Sequence, residues 1–535
     1  MVLNEQITPD PDNQKFFAAF QIAEYTNQSF FLTGKAGTGK STFLKYFRQN
    51  TRKRYVILAP TGVAAMNIGG QTIHSFFQFP QKPLIDSKKD IPIFRPVYLN
   101  HPHEKTQLIE RIDTIIIDEI SMVRADVLDA IHYSLCHNGG DPAKLFGGKQ
   151  IIFVGDLLQL PPVVTAQDKP LLEIAYQQPY FFAAHVFSRM ELGQIELDKA
   201  YRQKDGEFLR LLDAVRENRM TATELVKLNQ RLHADFKPDI NRFFIILSTT
   251  NKVAAEANTI HLDRLTGKVW TYNGVVKDEF PEKDLPVEKE LRLKVNAQVM
   301  FMRNDTHRRW VNGTIGHIES LGEQTIRVKL SDGTIHTVER VEWEYREFGY
   351  DTNSRSVEAK VKGTFMQYPL RLAWAITVHK SQGLTFDNMI LDIGSGVFLH
   401  GQLYVALSRC RSLEGLVLRT QLRSWDNKVD RSVLDFMRRA EIKDAQKIVS
   451  EGIVVWLNEL VLHRTRLLES LRDIEKSQGK AQSEFDAITW EDGPQSIEVM
   501  MNRVQRLYRE NDELRNRISV LESAWEDEEP DVDWL

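Results

Sequence analysis

A glycine-rich segment from Gly34 to Ser41, GKAGTGKS, has the composition of a loop that binds phosphate. It follows the apolar run FFL and precedes TFLKYF, which has a helical pattern. Backbone N–H groups at such a turn can surround phosphate oxygens, and the N-terminus of a helix favours anions. We expect Lys40 to contact the β- and γ-phosphates of a nucleoside triphosphate and Ser41 to hold Mg²⁺. The predicted nucleotide contacts are Gly34, Lys35, Ala36, Gly37, Thr38, Gly39, Lys40, Ser41 and Thr42.

Polar side chains also follow two apolar runs further along the chain. IIIDEIS places Asp118 and Glu119 at the end of one run, and IIFV is followed by GDLLQLPPV, which contains Asp156 and Gln159. A carboxylate pair beside bound phosphate would put Asp118 at Mg²⁺ and Glu119 near the attacking water as its general base. Gln159 is suited to sensing the γ-phosphate. Asp156 is either part of this site or a simple cap of its loop.

The elements that position these residues follow one repeated pattern, in which a short apolar run is followed by a polar turn and a helical stretch. This alternation is typical of α/β domains with parallel sheets, whose ligands bind at the carboxyl ends of the strands. Fully apolar runs, as expected for strands covered on both faces, lie at Phe30–Leu32, Tyr55–Leu58, Thr114–Ile117 and Ile151–Val154. A second series indicates a second α/β domain, and its runs are Phe243–Leu247, Met389–Leu391 and Gly415–Leu418.

The segment from Val299 to Lys362 has a different pattern. Runs such as TIRVKL and TIHTVERVEW alternate apolar and polar residues, and the turn SDG lies at Ser331–Gly333. Alternation with a period of two around an Asp-Gly turn predicts antiparallel hairpins. We therefore expect a small β-barrel inserted in the second domain.

Composition and charge restrict the classes of function. The chain has 535 residues, so more than one domain is expected, and a formal net charge of −4. Six acids in the last twelve residues account for more than this charge, since −4 + 6 leaves +2 for the remainder. A polyanionic partner is therefore allowed, through a local basic groove. Two cysteines, Cys136 and Cys410, support neither a disulfide framework nor a multi-cysteine zinc site.

Seven motifs occur in an order that resembles one family closely. The motifs are GKAGTGKS, APTGVAAMNIGGQTIHSFF, IIDEISMV, GDLLQLPPV, AYRQ, TVHKSQGLTFD and YVALSRCRS. Together they resemble the successive motifs of the petite-integration-frequency (PIF) helicases, relatives of RecD in superfamily 1, class B. The resemblance runs from about Phe30 to Leu418, and the last two motifs are the most specific to this group.

The resemblance implies an α/β fold with two RecA-like P-loop domains and parallel sheets. The residue patterns add an SH3-like β-barrel insertion in the second domain and a helical or coiled-coil C-terminal extension, which lies outside the resemblance. The expected boundaries are residues 1–205 for the first domain and 206–435 for the second. A wedge-like insertion is expected at about 81–106 and the barrel at about 300–365. A helical linker over 436–494, a candidate coiled coil over 495–523 and an acidic tail over 524–535 would follow.

The resemblance also implies further residues of an ATP site. Tyr201 in AYRQ offers an aromatic face to adenine, and Arg202 offers a fork to the γ-phosphate. Arg409 in ALSRC would act from the second domain as another arginine finger. Gln382 would lie near the nucleotide. Gln14 precedes the first strand, where related helicases place a glutamine that contacts adenine, although it is also suited to an exposed helix position.

The same resemblance implies a channel for single-stranded DNA over both domains. In the first domain Thr61, Gly62, His74 and Ser75 could donate to phosphates, and Phe76 could face a base or belong to the core. In the second domain the expected contacts are His379, Lys380 and Ser381. The barrel segment RNDTHRRW, from Arg303 to Trp310, combines bases with an aromatic residue. It suits either single-stranded nucleic acid or an ordinary charged loop.

Beyond residue 435 the sequence becomes helical and charged. Apolar residues between Ile497 and Leu521 occupy a and d positions of one heptad frame, with Asn511 at an a position. This pattern favours either a parallel dimer or a helix packed on its own protein. The acidic tail ends in Trp534-Leu535 and is suited either to a protein partner or to a disordered, solubilising end.

Three functional hypotheses remain. The first is an ATP-dependent DNA helicase with Mg²⁺, acting on single-stranded and forked or structured DNA in repair, recombination, replication or telomere maintenance. Its 5′-to-3′ direction is implied by the resemblance alone. The second is a ring-forming AAA+ remodelling ATPase, and the third is a scaffold that only binds nucleotide. The absence of basic residues from the opening MVLNEQ and of a long apolar run favours a bacterial cytoplasm.

Overall fold

Alternating strands and helices build the first domain. The computed structural model of the chain describes residues 7–10, 12–94, 104–190, 192–199, 201, 205–238, 243–351, 356–394 and 396–439. The strands of the first domain are β1 (Phe30–Gly34), β2 (Tyr55–Ala59), β3 (Gln71–Thr72), β4 (Thr114–Ile117), β5 (Gln150–Val154) and β6 (Gly193–Leu197). Helix α1 (Gln14–Tyr25) precedes them and belongs to a separate compact unit. The helices that follow are α2 (Lys40–Asn50), α3 (Gly62–Ile68), α4 (Ile73–Phe77), α5 (Ser87–Asp90), α6 (Glu104–Arg111), α7 (Ala125–His137) and α8 (Lys169–Tyr176).

The six strands form one parallel sheet in the order β3-β2-β4-β5-β1-β6. Strands β1, β4 and β5 are buried along their whole length, as their fully apolar sequences predict. The carboxyl ends of β1, β4 and β5 carry the glycine loop, Asp118-Glu119 and Asp156 respectively. Parallel pairing therefore brings three distant parts of the sequence to one sheet edge.

The second domain has its own parallel sheet. Its helices are α9 (Gly206–Arg216), α10 (Ala222–Asn229), α11 (Asn251–Arg264) and α12 (Gln402–Leu407). Its strands are β7 (Ile245–Ser248), β18 (Ala375–Thr377), β19 (Met389–Asp392) and β20 (Leu416–Leu418), in the order β18-β7-β19-β20. Apolar residues of α9 and α12, among them Phe208 and Leu407, pack against this sheet. The predicted α/β class with two parallel sheets is confirmed.

Ten strands separate β7 from β18 and form the inserted part of the second domain. They are β8 (Trp270–Asn273), β9 (Val275–Asp278), β10 (Glu290–Leu293), β11 (Gln298–Phe301), β12 (Ile315–Leu321), β13 (Ile326–Leu330), β14 (Ile335–Val338), β15 (Val341–Asp351), β16 (Ser356–Gln367) and β17 (Leu370–Leu372). Antiparallel pairing gives a five-stranded sheet, β14-β13-β12-β11-β17, and a three-stranded sheet, β15-β16-β9. A two-stranded sheet, β10-β8, completes the insertion.

The insertion is larger than the predicted range of about 300–365, because its strands begin at Trp270 and end at Leu372. Strands β8 and β9 have four residues each and are mostly exposed, so they lack the apolar alternation that reveals a strand. The predicted Asp-Gly turn is present between β13 and β14. Gly333 has φ 84°, and Asp332 accepts a hydrogen bond from Thr334 N at 2.9 Å.

Helix α13 (Arg431–Arg439) follows the last strand of the second domain and packs on the first domain. The Phe436 ring lies 4.4 Å from that of Phe182 with nearly parallel planes, and Tyr180 donates a 2.8 Å hydrogen bond to Asp430. The predicted end of the second domain at residue 435 therefore falls inside a helix that joins both domains. No helix among the described residues is long and apolar enough to span a bilayer. The candidate coiled coil and acidic tail lie outside the described residues.

Candidate nucleotide and nucleic-acid sites

The glycine loop between β1 and α2 has the backbone that its sequence predicts. Gly37 and Gly39 have φ angles of 82° and 100°, in the left-handed region that favours glycine. The Lys40 ammonium donates to the carbonyl oxygens of Gly34 at 2.6 Å and Lys35 at 3.0 Å, so it is held over the loop. Burial lowers the pKa of Lys40, while attraction by Asp156 and Glu119 opposes that effect.

The predicted catalytic carboxylates, Asp118 and Glu119, lie half-buried at the end of β4. Burial, with repulsion by Glu119, raises the pKa of Asp118 to about 7. Burial also raises the pKa of Glu119, whereas Lys40 and Arg409 act to lower it. Glu119 has a left-handed backbone, with φ 50°, a conformation that non-glycine residues adopt mainly at special sites.

These residues fit a divalent cation. A buried carboxylate whose pKa is raised gains from a nearby positive charge, and hard oxygen ligands suit Mg²⁺. Asp118 supplies such a carboxylate and Ser41, at the start of α2, supplies a hydroxyl. Thr42 follows Ser41 with an exposed side chain. Bound Mg²⁺ would neutralise charge on the phosphates that these residues face.

Asp156 is more than a cap of its loop. One of its oxygens accepts from Leu158 N at 3.2 Å, which is a capping contact, and the other accepts from Gln159 Nε2 at 3.3 Å. Its buried carboxylate also pairs with Arg216 at 3.0 Å. Burial alone would raise the pKa of Asp156, but Arg216 and Lys40 bring it below its ordinary value.

Of the two predicted arginine fingers, the structure describes Arg409. The Arg409 guanidinium is 2% exposed and donates to the carbonyl oxygen of Val405 at 3.0 Å and to Ser408 Oγ at 2.8 Å. Its charge acts on Glu119 from the second domain. Arg202 lies outside the described residues. The structure therefore places one of these arginines within electrostatic reach of the first domain's carboxylates.

Two further contacts between the domains were not predicted. Tyr404 of α12 accepts a hydrogen bond from Ala36 N in the glycine loop at 3.0 Å, and Asp213 of α9 pairs with Lys35 at 2.8 Å. Tyr404 lies in the motif YVALSRCRS, and no other feature of the sequence indicated a functional role for it. Asp213 and Arg216 gave no signal, because a charged residue on a helix most often faces solvent.

Tyr201 forms one wall beside the glycine loop. Its backbone N–H donates to Gly37 O at 2.9 Å, and its ring is 47% exposed. The hydroxyl accepts from Asn13 Nδ2 at 3.1 Å and donates to Asp10 at 3.3 Å. An exposed aromatic face at this loop is what an adenine ring requires. Asn13, which lies next to the predicted Gln14, is thus a neighbour of Tyr201, whereas Gln14 begins α1 with an exposed side chain.

Gln382 lies just after the short helical turn His379–Ser381 of the second domain. Its side-chain Nε2 atom is buried, and among the described residues it has no hydrogen-bond partner. A buried amide donor without a partner is costly, and a ligand oxygen would satisfy it. This observation favours the predicted position of Gln382 near a nucleotide.

The residues of the first domain that are predicted to contact single-stranded DNA lie against the insertion of the second domain. Thr61 caps α3 by accepting from Ala64 N at 3.3 Å. The Asp284 carboxylate lies against Gly62, where an added Cβ would be 2.4 Å from its oxygen. Ser75 shares a 2.7 Å hydrogen bond with the Tyr345 hydroxyl of β15.

Two further predicted residues of α4 differ in exposure. His74 is partly exposed and packs edge-on against Phe79. Phe76 is 1% exposed, lies edge-on against Phe348 of β15, and has the Lys105 ammonium 4.9 Å from its ring centre. Phe76 is therefore a core residue in this structure and offers no face to a base, the alternative that its apolar type favoured.

Of the residues predicted to contact DNA in the second domain, His379 is partly exposed and Lys380 is exposed. Burial lowers the pKa of each, and Arg371 acts on Lys380 in the same direction. Ser381 differs, because it is fully buried and its hydroxyl donates to Val378 O at 2.7 Å. The Ser381 side chain is therefore committed to its own turn, which corrects its predicted contact with DNA.

In the insertion, the aromatic residue of RNDTHRRW belongs to the core. Trp310 is 6% exposed and stacks on Phe301 with 4.3 Å between ring centres. The Arg309 guanidinium lies 4.5 Å from the centre of the Trp310 ring and pairs with Asp305 at 2.8 Å. The interpretation of this segment as an ordinary charged loop therefore explains the positions of Trp310 and Arg309.

Comparison with known proteins agrees with the motif order. The model of the PIF1-like helicase family matches residues 11–225. The chain is 35% identical to human "ATP-dependent DNA helicase PIF1" over 75% of this chain and 59% of that protein. It is 31% identical to "ATP-dependent DNA helicase Pif1" of Bdellovibrio bacteriovorus over 78% of this chain and 89% of that protein. The chain thus spans less than two thirds of the human relative and most of the bacterial one.

Solved structures of Pif1 from Bacteroides sp show the same fold. The unliganded protein has a TM-score of 0.73 at 34% identity, covering 82% of this chain and 99% of that chain. The same protein bound to ssDNA has a TM-score of 0.57 at 36% identity, covering 80% and 97%. With identities above 30% over most of the Bdellovibrio and Bacteroides proteins, this chain belongs to the PIF1-like helicase family.

Proposed function

We propose that this protein is an ATP-dependent DNA helicase that moves on single-stranded DNA. The observation that carries the proposal is the direct contact of the second domain with the glycine loop that precedes Lys40. Ala36 N donates to the Tyr404 hydroxyl at 3.0 Å, and Lys35 pairs with Asp213 at 2.8 Å. Hydrolysis at such a site depends on closure of the two domains, and this dependence couples nucleotide state to motion.

The relatives support the substrates. The human and Bdellovibrio relatives are named ATP-dependent DNA helicases, and structures of Bacteroides Pif1 have been solved with ADP-AlF4 and with ssDNA. By this similarity ATP with Mg²⁺ would bind between Lys40, Ser41 and Asp118. Single-stranded DNA would follow Thr61, Gly62, His74 and Ser75 of the first domain, and then His379 and Lys380 of the second.

In the proposed reaction each group has one role. Lys40 stabilises negative charge on the β- and γ-phosphates, and Glu119 accepts a proton from the attacking water. Gln159 faces the γ-phosphate, while Arg202 and Arg409 stabilise charge on the transferred phosphoryl group. Tyr201 stacks on adenine, and Gln382 donates to the nucleotide from the second domain. Gln14 remains the proposed adenine contact from the segment before β1.

Finer features are also part of the proposal. We infer a 5′-to-3′ direction and a role in repair, recombination or replication from membership of the family. We infer an SH3-like barrel from the five-stranded antiparallel sheet, and self-association through residues 497–521 from the heptad pattern. Two buried, free cysteines support a reducing cytoplasmic compartment.

A single assay tests the function. Duplexes with a 5′ or a 3′ single-stranded tail are offered to the purified protein with ATP and Mg²⁺, and Lys40→Ala serves as the inactive control. We expect ATP hydrolysis that single-stranded DNA accelerates, and unwinding of the 5′-tailed duplex alone. An ATPase rate that is indifferent to DNA would overturn the proposal, and unwinding of the 3′-tailed duplex would reverse the direction.

A further inference from the structure

Helix α9 joins the second domain to the loops of the first. Its apolar residues Phe208, Leu212 and Val215 pack in the core of the second domain. Asp205 caps it by accepting hydrogen bonds from the backbone N–H groups of Glu207 and Phe208, each at 3.0 Å. A capped helix with a buried apolar face is rigidly attached to its domain. The backbone positions of its charged side chains are therefore fixed relative to the second domain.

Arg216, the last residue of α9, reaches Asp156 of the first domain. Its terminal nitrogen lies 3.0 Å from one carboxylate oxygen, and its Nε lies 3.4 Å from the other. The two side chains are 3% and 0% exposed. Water cannot solvate either charge at such burial, so removal of one partner would leave the other charge buried and unpaired.

Asp156 in turn holds the loop that contains Gln159. The same carboxylate that pairs with Arg216 accepts from Leu158 N at 3.2 Å and from Gln159 Nε2 at 3.3 Å. One anionic group therefore connects the proposed γ-phosphate sensor to a helix of the opposite domain. Movement of Gln159 toward or away from a phosphate would alter the geometry at Asp156 and hence at Arg216.

Two neighbouring contacts join the same surfaces. Asp213 lies three residues before Arg216, on the adjacent turn of α9, and pairs with Lys35. Tyr404 accepts from Ala36 N, the residue next to Lys35. The second domain thus touches the glycine loop at two consecutive residues and the Gln159 loop at a third place.

We propose that Arg216 is a positioning residue for hydrolysis, whose ion pair with Asp156 transmits the state of the Gln159 loop to the second domain. The inference rests on the proposed function, since it takes Gln159 to face the γ-phosphate. Arg216 acts through Asp156 and not on the reacting atoms. Its loss would disturb the conversion of hydrolysis into domain movement more than the binding of ATP.

The experiment uses the full chain and compares Arg216→Gln with Arg216→Lys and with the control Arg210→Gln. Arg210 lies on the same helix with an exposed side chain, so its replacement removes an equal charge away from the interface. We expect Arg216→Gln to lower the DNA-stimulated kcat about tenfold or more while KM for ATP changes less than about threefold. Base pairs unwound per ATP hydrolysed should also fall. Arg216→Lys should recover part of both losses, and Arg210→Gln should match the wild type.

A double variant tests whether Arg216 and Asp156 act as a pair. Arg216→Gln leaves an unpaired buried carboxylate, whereas Asp156→Asn with Arg216→Gln leaves a neutral pair. The double variant should therefore be less impaired than the product of the two single effects. Multiplicative losses would overturn the inference. So would a normal kcat with normal unwinding per ATP in Arg216→Gln, or an equal loss in Arg210→Gln.

Failure of the proposed function gives a different result. A wild-type protein whose ATP hydrolysis ignores DNA would overturn the helicase proposal. The same variants would then be compared by basal kcat, where a loss in Arg216→Gln that Arg216→Lys partly restores supports the inference. An unchanged basal kcat in Arg216→Gln would overturn it.

Discussion

At the scale of single residues, Glu119 has the features of a general base. It is half-buried, and the Lys40 charge acts to lower its pKa. Its side chain is one methylene longer than that of the neighbouring Asp118, so the two carboxylates can reach different positions, one for water and one for the metal. Glu119→Gln removes the base and leaves the glycine loop intact. We expect kcat to fall about 100-fold or more while the Kd for ATP stays close to that of the wild type. Rapid hydrolysis by this variant, with ATP still tightly bound, would show that another group activates the water.

Asp118 gives a prediction about pH. Its pKa is raised from 3.8 to about 7, so the folded protein binds an extra proton between these values and stability falls as pH rises through this window. In EDTA at pH 8, Asp118→Asn should therefore be more stable than the wild type in urea unfolding. The difference should vanish near pH 4. Addition of Mg²⁺ at pH 8 should stabilise the wild type and not the variant, and an equal response of both would exclude Asp118 as a ligand.

At the scale of elements, the segment before β10 covers part of the proposed DNA surface. Asp284 places a carboxylate against Gly62, at a position proposed for a DNA phosphate. Asp284→Ala removes a negative charge from that position and should tighten binding of single-stranded DNA several-fold at low salt, with a smaller gain at higher salt. Fluorescence anisotropy measures the change.

Glu282→Gln is the matched control for Asp284→Ala. Glu282 lies on the same short turn with an exposed side chain, and its replacement also removes one negative charge. An equal gain in both variants would mean that net charge, and not the contact with Gly62, sets the affinity.

Helix α13 gives a second prediction at this scale. Phe436 stacks on Phe182 and lies edge-on to Phe181, both of the first domain, while the preceding chain belongs to the second domain. Phe436 is partly buried, so Phe436→Ala should cost about 2 kcal/mol in free energy of unfolding, measured with urea, because it removes the stacked contacts between aromatic rings. Leu434→Ala, at a partly buried position of the same helix, should cost less. Equal costs would indicate that the aromatic stack adds nothing beyond burial.

At the scale of the whole molecule, both halves of the ATP site lie in one chain. A ring-forming ATPase would instead complete each site with an arginine from a neighbouring subunit. Mixing Arg409→Ala with Lys40→Ala should therefore restore no hydrolysis, measured as phosphate release over a range of mixing ratios. Recovery of activity in the mixture would mean that Arg409 acts on another copy of the chain.

The sequence by itself determined the parts of the site that depend on local structure. The sequence contains a glycine loop between a strand and a helix, and acids at the ends of apolar strands. Both features are expected at one edge of the sheet, because parallel strands present their carboxyl ends there. Lys40, Asp118, Glu119 and Gln159 lie where these patterns placed them. The order of the motifs also identified the family.

Only the tertiary structure decided which residues meet across the domains. Ala36 and Tyr404 are 368 positions apart, and Asp156 and Arg216 are 60 apart. Such pairs depend on the relative arrangement of two folded domains, and the periodicity of the sequence does not indicate that arrangement. Tertiary packing also decided the exposure of the aromatic residues. Phe76 and Trp310 are core residues, whereas the Tyr201 ring is exposed beside the glycine loop.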